Sequence, residues 1–288
     1  MMRGIDVSAH NGVINWPAVK ASGIEAVIIR AGYGNSAAQQ DRQFAANIKG
    51  AAAAGLKIGI YWFSYADSVA DALKEWAVCK SIIEPYRDKI TLPVVYDYEY
   101  DSVNYYRKIH GAAPSNTLIN QMVNAFLSAA KADGWGTALY TNNDYRLHVF
   151  TAATLAAWDI WLADYSGAPD IPCAFQQISS TGQVSGINTP VDLNTFFKDY
   201  GIQTVVQIDT TMDISFAHGT YYTVKTVCPQ QVTVTAGTGG VVTIVPLPRT
   251  GNEQLFALVA VGQPGQETGI YTAAPGEKPL RRFKYKIK

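Results

Sequence analysis

The stretch Pro93-Val94-Val95-Tyr96-Asp97-Tyr98-Glu99-Tyr100 reads as a buried strand that ends in two acidic residues. Because side chains alternate along a strand, Asp97 and Glu99 should share one face, with Cα atoms roughly 6.5 to 7 Å apart, while the three tyrosines share the other. Two carboxyls that close oppose each other's ionisation, so at least one should keep its proton to a higher pH than in solution. An acid and a base or electrostatic partner are the minimum set for cleaving a glycosidic bond.

This stretch is one of eight short apolar runs in the first 200 residues, and segments of helical periodicity separate most of them. The predicted strands cover residues 4–7, 26–31, 57–63, 92–98, 137–141, 160–163, 174–178 and 191–193. Helices are predicted around residues 39–54 and after the Pro114-Ser115-Asn116 start signal, with Gly55 and Gly134 at their C-terminal caps. The pattern predicts a β/α barrel of eight strands with fewer than eight helices, because the gaps after the sixth and seventh strands are too short for full helices.

The sequence pattern changes after residue 203, where helical periodicity ends. Residues 204–208, 220–227, 231–236, 241–245, 255–261 and 283–287 are β-branched or aromatic runs separated by turn residues. We therefore predict a catalytic barrel over residues 1–203 and a small all-β C-terminal domain over residues 204–288. Eight Lys/Arg and five Asp/Glu give the second domain a net charge of +3, so the first carries −3.

Composition excludes several classes of protein. The 288 residues are 48% hydrophobic and 16% charged, and 23 basic residues balance 23 acidic ones, which argues against disorder and against a nucleic-acid partner. No apolar run approaches the roughly 18 residues of a membrane span. The three cysteines and four histidines are scattered, so we expect no disulfide framework, no metal site and no cofactor.

In a parallel barrel the functional side chains lie at the C-terminal ends of the strands. The predicted ends carry carboxylates from several strands, with aromatic and amide side chains between them. That combination favours a site for a polyol.

Eight segments resemble, in order, the motifs of family 25 glycoside hydrolases, which are lysozymes of fungal, bacterial and phage origin. They are residues 4–12 (GIDVSAHNG), 14–16 (INW), 29–34 (IRAGYG), 59–64 (GIYWFS), 97–99 (DYE), 161–165 (WLADY), 176–177 (QQ) and 191–194 (VDLN). The resemblance covers about residues 3–200. It implies a barrel with fewer helices than strands and hydrolysis of the MurNAc-β-1,4-GlcNAc bond of peptidoglycan, by an endolysin or an autolysin.

The resemblance implies catalytic and binding roles for the residues at matching motif positions. Glu99 resembles the catalytic acid and Asp97 its partner, while Asp6 and Asp192 resemble the flanking acids of the cleft. Glycan contacts are expected from Tyr33, Tyr61, Trp62, Tyr140, Trp161, Asp164 and Gln177. Asp6 could instead accept backbone hydrogen bonds near Ser8 and Asn11, Asp192 could cap a turn, and the two tryptophans could serve packing alone.

The sequence also allows two other functions. A chitinase-like enzyme also ends its fourth strand in Asp-x-Glu, but Leu92 and Val95 occupy positions where that pattern has further acids. A non-catalytic glycan-binding barrel would have lost the acid, and Glu99 is present.

The first residues bear on localisation, and the C-terminal domain bears on wall binding. Residues 1–6 lack a signal-peptide apolar segment, so we expect synthesis in the cytoplasm and action at the bacterial cell wall after release. The basic cluster of Arg281, Arg282, Lys284, Lys286 and Lys288 could face anionic wall polymers. It could equally be the solvated face of an edge strand, and a dimerisation role is the third alternative.

Overall fold

The computed structural model describes residues 1–198, 200, 206–228, 230–275 and 277–288. The chain divides into two compact units, Met1–Gln203 and Thr204–Lys288. The start of the strand predicted at 204–208 lies outside the described residues.

The first unit is a closed barrel of eight strands, as predicted. The strands are β1 (Met2–Val7), β2 (Ala26–Tyr33), β3 (Lys57–Phe63), β4 (Val94–Asp97), β5 (Thr137–Asn142), β6 (Asp159–Ala163), β7 (Phe175–Gly182) and β8 (Val191–Phe196). Strands β1 to β7 run parallel, but β8 is antiparallel to both of its neighbours, so the expectation of a fully parallel barrel is wrong for the last strand. The reason is the short connection of residues 183–190, because a parallel crossover needs a dozen residues or more.

The described residues of the first unit form seven α-helices. They are α1 (Trp16–Ala21), α2 (Phe44–Ala53), α3 (Val69–Ile83), α4 (Tyr100–His110), α5 (Asn116–Ala132), α6 (Asn143–His148) and α7 (Ala152–Ala157). Ser115 caps α5 by accepting a hydrogen bond from the Leu118 N–H, and Gly55 and Gly134 follow α2 and α5 with φ of 72° and 81°. No helix lies between β6 and β8 in this fully described stretch, which confirms the interpretation of the short gaps.

Strand β4 separates two apolar layers. Val94 and Tyr96 pack in the layer between the sheet and the helices, whereas Val95 faces the barrel interior. The interior is closed by apolar side chains that include Ile28, Val95, Ala138, Phe175 and Phe196. Packing therefore fills one end of the barrel, and the other end remains available for polar side chains at the ends of the strands.

The second unit consists of two four-stranded sheets, in the orders β10-β16-β15-β12 and β13-β14-β11-β9. The strands are β9 (Gln207–Ile208), β10 (Ile214–Phe216), β11 (Tyr221–Val227), β12 (Thr233–Ala236), β13 (Val242–Pro246), β14 (Glu253–Ala260), β15 (Glu267–Ala273) and β16 (Leu280–Ile287). Strands β10 and β15 were not among the predicted ones. One apolar core joins both sheets, with Val224, Leu258, Ile270 and Tyr285 fully buried.

The basic cluster lies on β16 and alternates with buried side chains. Arg281, Lys286 and Lys288, the last of which follows β16, are exposed, while Lys284 Nζ forms an ion pair with Glu267 at 2.9 Å. Arg282 donates to Thr272 Oγ1 at 2.6 Å and to the Val206 carbonyl at 2.7 Å. Part of the predicted positive face is thus engaged within the domain.

In the described part of the chain, no helix has the length and apolar character needed to cross a membrane.

Candidate active site

A cleft of about 690 Å³ opens where strands β1 to β6 end. Nine of the eleven residues predicted for the site line it: Asp6, Tyr33, Tyr61, Asp97, Glu99, Tyr140, Trp161, Gln177 and Asp192. They come from all eight strands of the barrel and from the start of one helix. The closed barrel therefore brings together side chains that lie up to 186 positions apart in the chain.

Asp97 and Glu99, the two acids of the stretch 93–100, both face this cleft. Asp97 is the last residue of β4, and Glu99 is the N-cap of α4 with an extended backbone (φ −127°, ψ −171°), so the alternation continues past the strand. The Glu99 N–H donates to Ser102 Oγ at 3.0 Å. Tyr98 points into the outer apolar layer, as expected. The prediction for Tyr100 is wrong, because this residue begins α4 and is half exposed.

Asp97 and Glu99 are tightly coupled. Burial raises the pKa of Asp97 well above its usual range, and the Glu99 charge and the hydrogen bond to Glu99 raise it further. Burial also raises the pKa of Glu99, while the hydrogen bond from Asp97 opposes that rise. Burial thus favours the protonated form of both carboxyls, and their proximity opposes the ionisation of both at once. Asp97 Oδ1 is buried and has no hydrogen-bond partner among the described residues.

A second pair of acids lies opposite. Asp6 of β1 and Asp192 of β8 are directly paired across the antiparallel strands. Asp6 Oδ2 accepts hydrogen bonds from Gln177 Nε2 at 3.0 Å and from Asn194 Nδ2 at 2.7 Å. Burial and the charge of Asp192 raise the pKa of Asp6, and burial raises that of Asp192. The cleft thus contains two coupled carboxyl pairs.

Asp6 is not held by the nearby loop, which was the alternative interpretation. The Ser8 N–H donates to Asn11 Oδ1 and the Ala9 N–H to Asp41 Oδ2, both at 2.9 Å. Asp6 Oδ2 instead accepts hydrogen bonds from Gln177, which lines the cleft, and from Asn194 of β8, and Asp6 itself lines the cleft.

Aromatic and amide side chains extend the hydrogen bonds of Asp6 across the floor of the cleft. Gln177 Oε1 accepts hydrogen bonds from the hydroxyls of Tyr140 at 3.3 Å and Tyr165 at 2.8 Å. The Trp161 indole N–H donates to Asn194 Oδ1 at 2.8 Å, and its ring packs edge-on against Tyr140 and Tyr61. Trp161 is only 2% exposed, so it supports the floor of the cleft more than it offers a free ring face.

Two predicted contacts are not brought to the cleft. Trp62 is fully buried in the outer apolar layer, where its indole N–H donates to the Gly34 carbonyl at 3.2 Å. The prediction for Trp62 is wrong because Tyr61 and Phe63 face inward, so the residue between them must face outward. Asp164 also does not line the cleft: its Oδ1 accepts hydrogen bonds from the Ser166 hydroxyl and N–H, which lower its pKa.

The structure adds lining residues that sequence reasoning did not assign to the site. They are Ala9, His10, Arg30, Gln40, Asp41, Arg42, Phe63, Tyr65 and Asp101. Arg30 Nε pairs with the buried Asp41 carboxylate at 2.8 Å. The signal for Arg30 was its place on β2, two residues after the inward-facing Ile28. In the described part of the chain, no group of three or more His, Cys, Asp or Glu could hold a metal ion.

The family profile described as Glycosyl hydrolases family 25 matches residues 5–187. The chain belongs to this family of glycoside hydrolases. The match ends before the second unit, so family membership describes the barrel.

Relatives of this family 25 barrel include enzymes named as lysozymes. The chain is 29% identical to "Lysozyme M1" of Streptomyces globisporus over 213 residues, which cover 68% of this chain and 67% of that protein. The bacterial lysozyme of Streptomyces coelicolor has a similar structure, with a TM-score of 0.58, 28% identity and coverage of 68% of this chain and 92% of that one.

The modular autolysin LytC of Streptococcus pneumoniae, solved with a synthetic peptidoglycan ligand, is also similar. It matches with a TM-score of 0.58 and 25% identity over 67% of this chain. The matched region spans 46% of that autolysin.

Proposed function

We propose that the chain is an N-acetylmuramidase, a lysozyme that hydrolyses the MurNAc-β-1,4-GlcNAc bond of peptidoglycan as an endolysin or autolysin at the bacterial cell wall. The observation that carries the proposal is the pair of Asp97 and Glu99 carboxyls, which line the same cleft and whose pKa values burial raises. The names of the lysozyme relatives support the choice of substrate.

Glu99 serves as the general acid and then as the general base. It protonates the glycosidic oxygen as the bond to the anomeric carbon breaks, and it later takes a proton from the water that attacks that carbon. Burial raises the pKa of Glu99, which favours the protonated form that the acid step needs. An acetamido N–H that donates to Asp97 would favour a proton on Glu99 over one on Asp97, because it stabilises the ionised form of Asp97.

Asp97 supports the positive charge that develops at the anomeric carbon by one of two routes. It attacks that carbon directly, or it orients the substrate's own 2-acetamido oxygen to attack. Asp97 Oδ1, which is buried and has no hydrogen-bond partner in the described part of the chain, is available for either role. Both routes proceed through two displacements and retain the anomeric configuration.

The two other functions predict different chemistry at the same cleft. A chitinase-like enzyme would cleave chitin in preference to peptidoglycan, and a glycan-binding barrel would cleave neither. The test is mass spectrometry of fragments released from purified peptidoglycan, with chitin digested in parallel. We expect MurNAc at the new reducing ends, and fragments ending in GlcNAc would assign a glucosaminidase instead.

For the second unit, we propose a wall-binding role through the exposed positive charges of β16. The net charge of +3 over residues 204–288 supports attraction to anionic wall polymers. Because Lys284 and Arg282 are engaged inside the domain, the exposed Arg281, Lys286 and Lys288 would carry most of this attraction. Oligomerisation is the alternative role for this unit.

A further inference from the structure

A second cavity of about 360 Å³ adjoins the cleft. Tyr33, Tyr65 and Asp101 line both spaces, so the surface continues from the catalytic pair into this side cavity. Its remaining wall comes from Gly34, Asn35, Gln39, Asp71 and Tyr105. The roles assigned above to Asp97 and Glu99 do not use this cavity.

Three tyrosine rings form one side of the cavity. The ring of Tyr65 lies between the other two, with its centroid 6.0 Å from that of Tyr33 and 4.9 Å from that of Tyr105. Tyr105 is 42% exposed, so part of its ring faces solvent. Pyranose rings have apolar C–H faces, and tyrosine rings provide surfaces against which such faces pack.

Polar side chains line the rest of the cavity. Asn35 Nδ2 donates to Asp71 Oδ1 at 2.7 Å, which leaves the Asn35 oxygen as an acceptor. Asp101 is exposed, and together with Asp71 it makes the cavity acidic. Two carboxylates accept hydrogen bonds from sugar hydroxyls and repel anions, so they disfavour the carboxylates of a stem peptide or an acidic wall polymer.

The wall is held in place from the buried side. The Tyr65 N–H donates to Glu75 Oε1 at 2.8 Å, and Glu75 of α3 is fully buried. Gly34 has a φ of 65°, and its carbonyl accepts the Trp62 indole hydrogen bond. A site whose backbone is fixed before binding loses less conformational entropy when the ligand arrives.

We propose that the side cavity is a distal subsite for a neutral N-acetylhexosamine of a glycan strand that continues beyond the cleavage site. This inference rests on the proposed function, because it assumes that the cleft holds the same strand. It implies that the enzyme favours long glycan strands over short fragments.

The test uses linear peptidoglycan glycan strands without stem peptides, prepared with two, four, six and eight sugars. For the wild-type protein, kcat/KM should rise steeply at the length that reaches the side cavity. Tyr105→Ala should lower that rise about tenfold, through KM rather than kcat. Tyr105→Phe keeps the ring and should keep the rise. Ile109→Ala is the matched control, since Ile109 is an exposed apolar residue of the same helix that lines neither cavity.

Binding separates failure of the subsite from failure of the proposed function. The affinity of the same strands for the Glu99→Gln protein, measured by calorimetry, should show the same length dependence and the same loss with Tyr105→Ala. If no glycan is cleaved, this measurement still supports or overturns the subsite. An equal rise with length in Tyr105→Ala and wild type, or an equal loss at every length, would overturn it.

Discussion

Asp6 and Asp192 lie directly opposite each other across the only antiparallel junction that β1 makes in the barrel. Because β8 runs opposite to the other strands, its N-terminal end brings Asp192 to the cleft. Residues paired across antiparallel strands have neighbouring side chains, and two carboxyls placed in that way cannot both ionise freely. The last strand therefore contributes a second proton-sharing pair to a cleft that already holds Asp97 and Glu99.

Glu99→Gln should lower turnover by about 10² to 10⁴ while folding is unchanged. Glutamine keeps the size and the hydrogen bonding of the side chain but cannot transfer the proton. Release of reducing ends from peptidoglycan measures the loss, and Glu84→Gln, an exposed carboxyl outside the cleft, is the matched control. A folded Glu99→Gln protein with more than about a tenth of wild-type turnover would remove Glu99 from the mechanism.

Hydrolysis should retain the anomeric configuration. Inversion requires two carboxyls about 6.5 to 9.5 Å apart with a water between them, whereas Asp97 and Glu99 are close enough to share a hydrogen bond. Proton NMR of the first product should therefore show the β anomer. Appearance of the α anomer before mutarotation would contradict both retaining routes.

Asp101→Asn should move the descending limb of the pH profile of kcat/KM to lower pH. Activity requires the proton shared by Asp97 and Glu99, so it falls as pH rises through the pKa of the pair. Burial raises the pKa of Glu99 most, and the charge of Asp101 adds to this rise. Removal of the Asp101 charge therefore lowers the pKa of Glu99.

The profile is best measured with the shortest strand that is cleaved, so that the side cavity is not involved. Asp88→Asn, an exposed acid outside the cleft, should leave the limb in place. A limb that stays in place in Asp101→Asn, or moves to higher pH, would show that this charge does not act on the pair.

Glu75→Gln should flatten the pH dependence of stability. Burial raises the pKa of Glu75 from 4.5 to about 8, so its carboxyl is protonated when folded and ionised when unfolded between these values. In that window the folded state binds more protons, and the free energy of unfolding falls as pH rises, by up to about 5 kcal/mol in total. Below pH 4.5 this loss is absent.

Urea denaturation at pH 5 and pH 8 measures the effect. The Glu75→Gln protein should be more stable than wild type at pH 8 and closer to it at pH 5, while Glu84→Gln keeps the wild-type slope. An unchanged slope in Glu75→Gln would mean that Glu75 is ionised in the folded protein throughout this range.

A protein ending at residue 203 should still cleave soluble glycan, because every residue that lines the cleft lies in the first unit. It should lyse intact cells less well than the full chain. The difference should shrink as salt rises, since exposed charges are screened over roughly 8 to 10 Å at ordinary ionic strength. The loss of turbidity of a cell suspension, followed at several salt concentrations, measures this difference in lysis.

A full-length protein with Arg281→Glu and Lys286→Glu tests whether the charge of the domain, and not only its presence, promotes lysis. This variant should lyse intact cells as poorly as the truncated protein. Equal lysis at low salt by all three proteins would favour oligomerisation. Sedimentation of the full chain then gives its oligomeric state.

Local patterns were sufficient for most of the barrel. The eight strands were predictable because each is a short apolar run, and a run of that kind is buried in any β/α barrel. The short gap before β8 also held the information about its direction, since eight residues cannot form a parallel crossover. Strand alternation likewise excluded Trp62 from the cleft once Tyr61 was assigned to it.

The sequence by itself determined the eight-stranded barrel, the family and the inward direction of Asp97 and Glu99, because these depend on periodicity and on neighbours in the chain. Only the tertiary structure decided that Asp6 faces Asp192, that burial raises the pKa of Asp97, and that Tyr33, Tyr65 and Tyr105 line a side cavity. These properties arise from side chains that come together only when the barrel closes. Burial and charge at such a junction depend on residues far apart in the chain, and no local pattern records them.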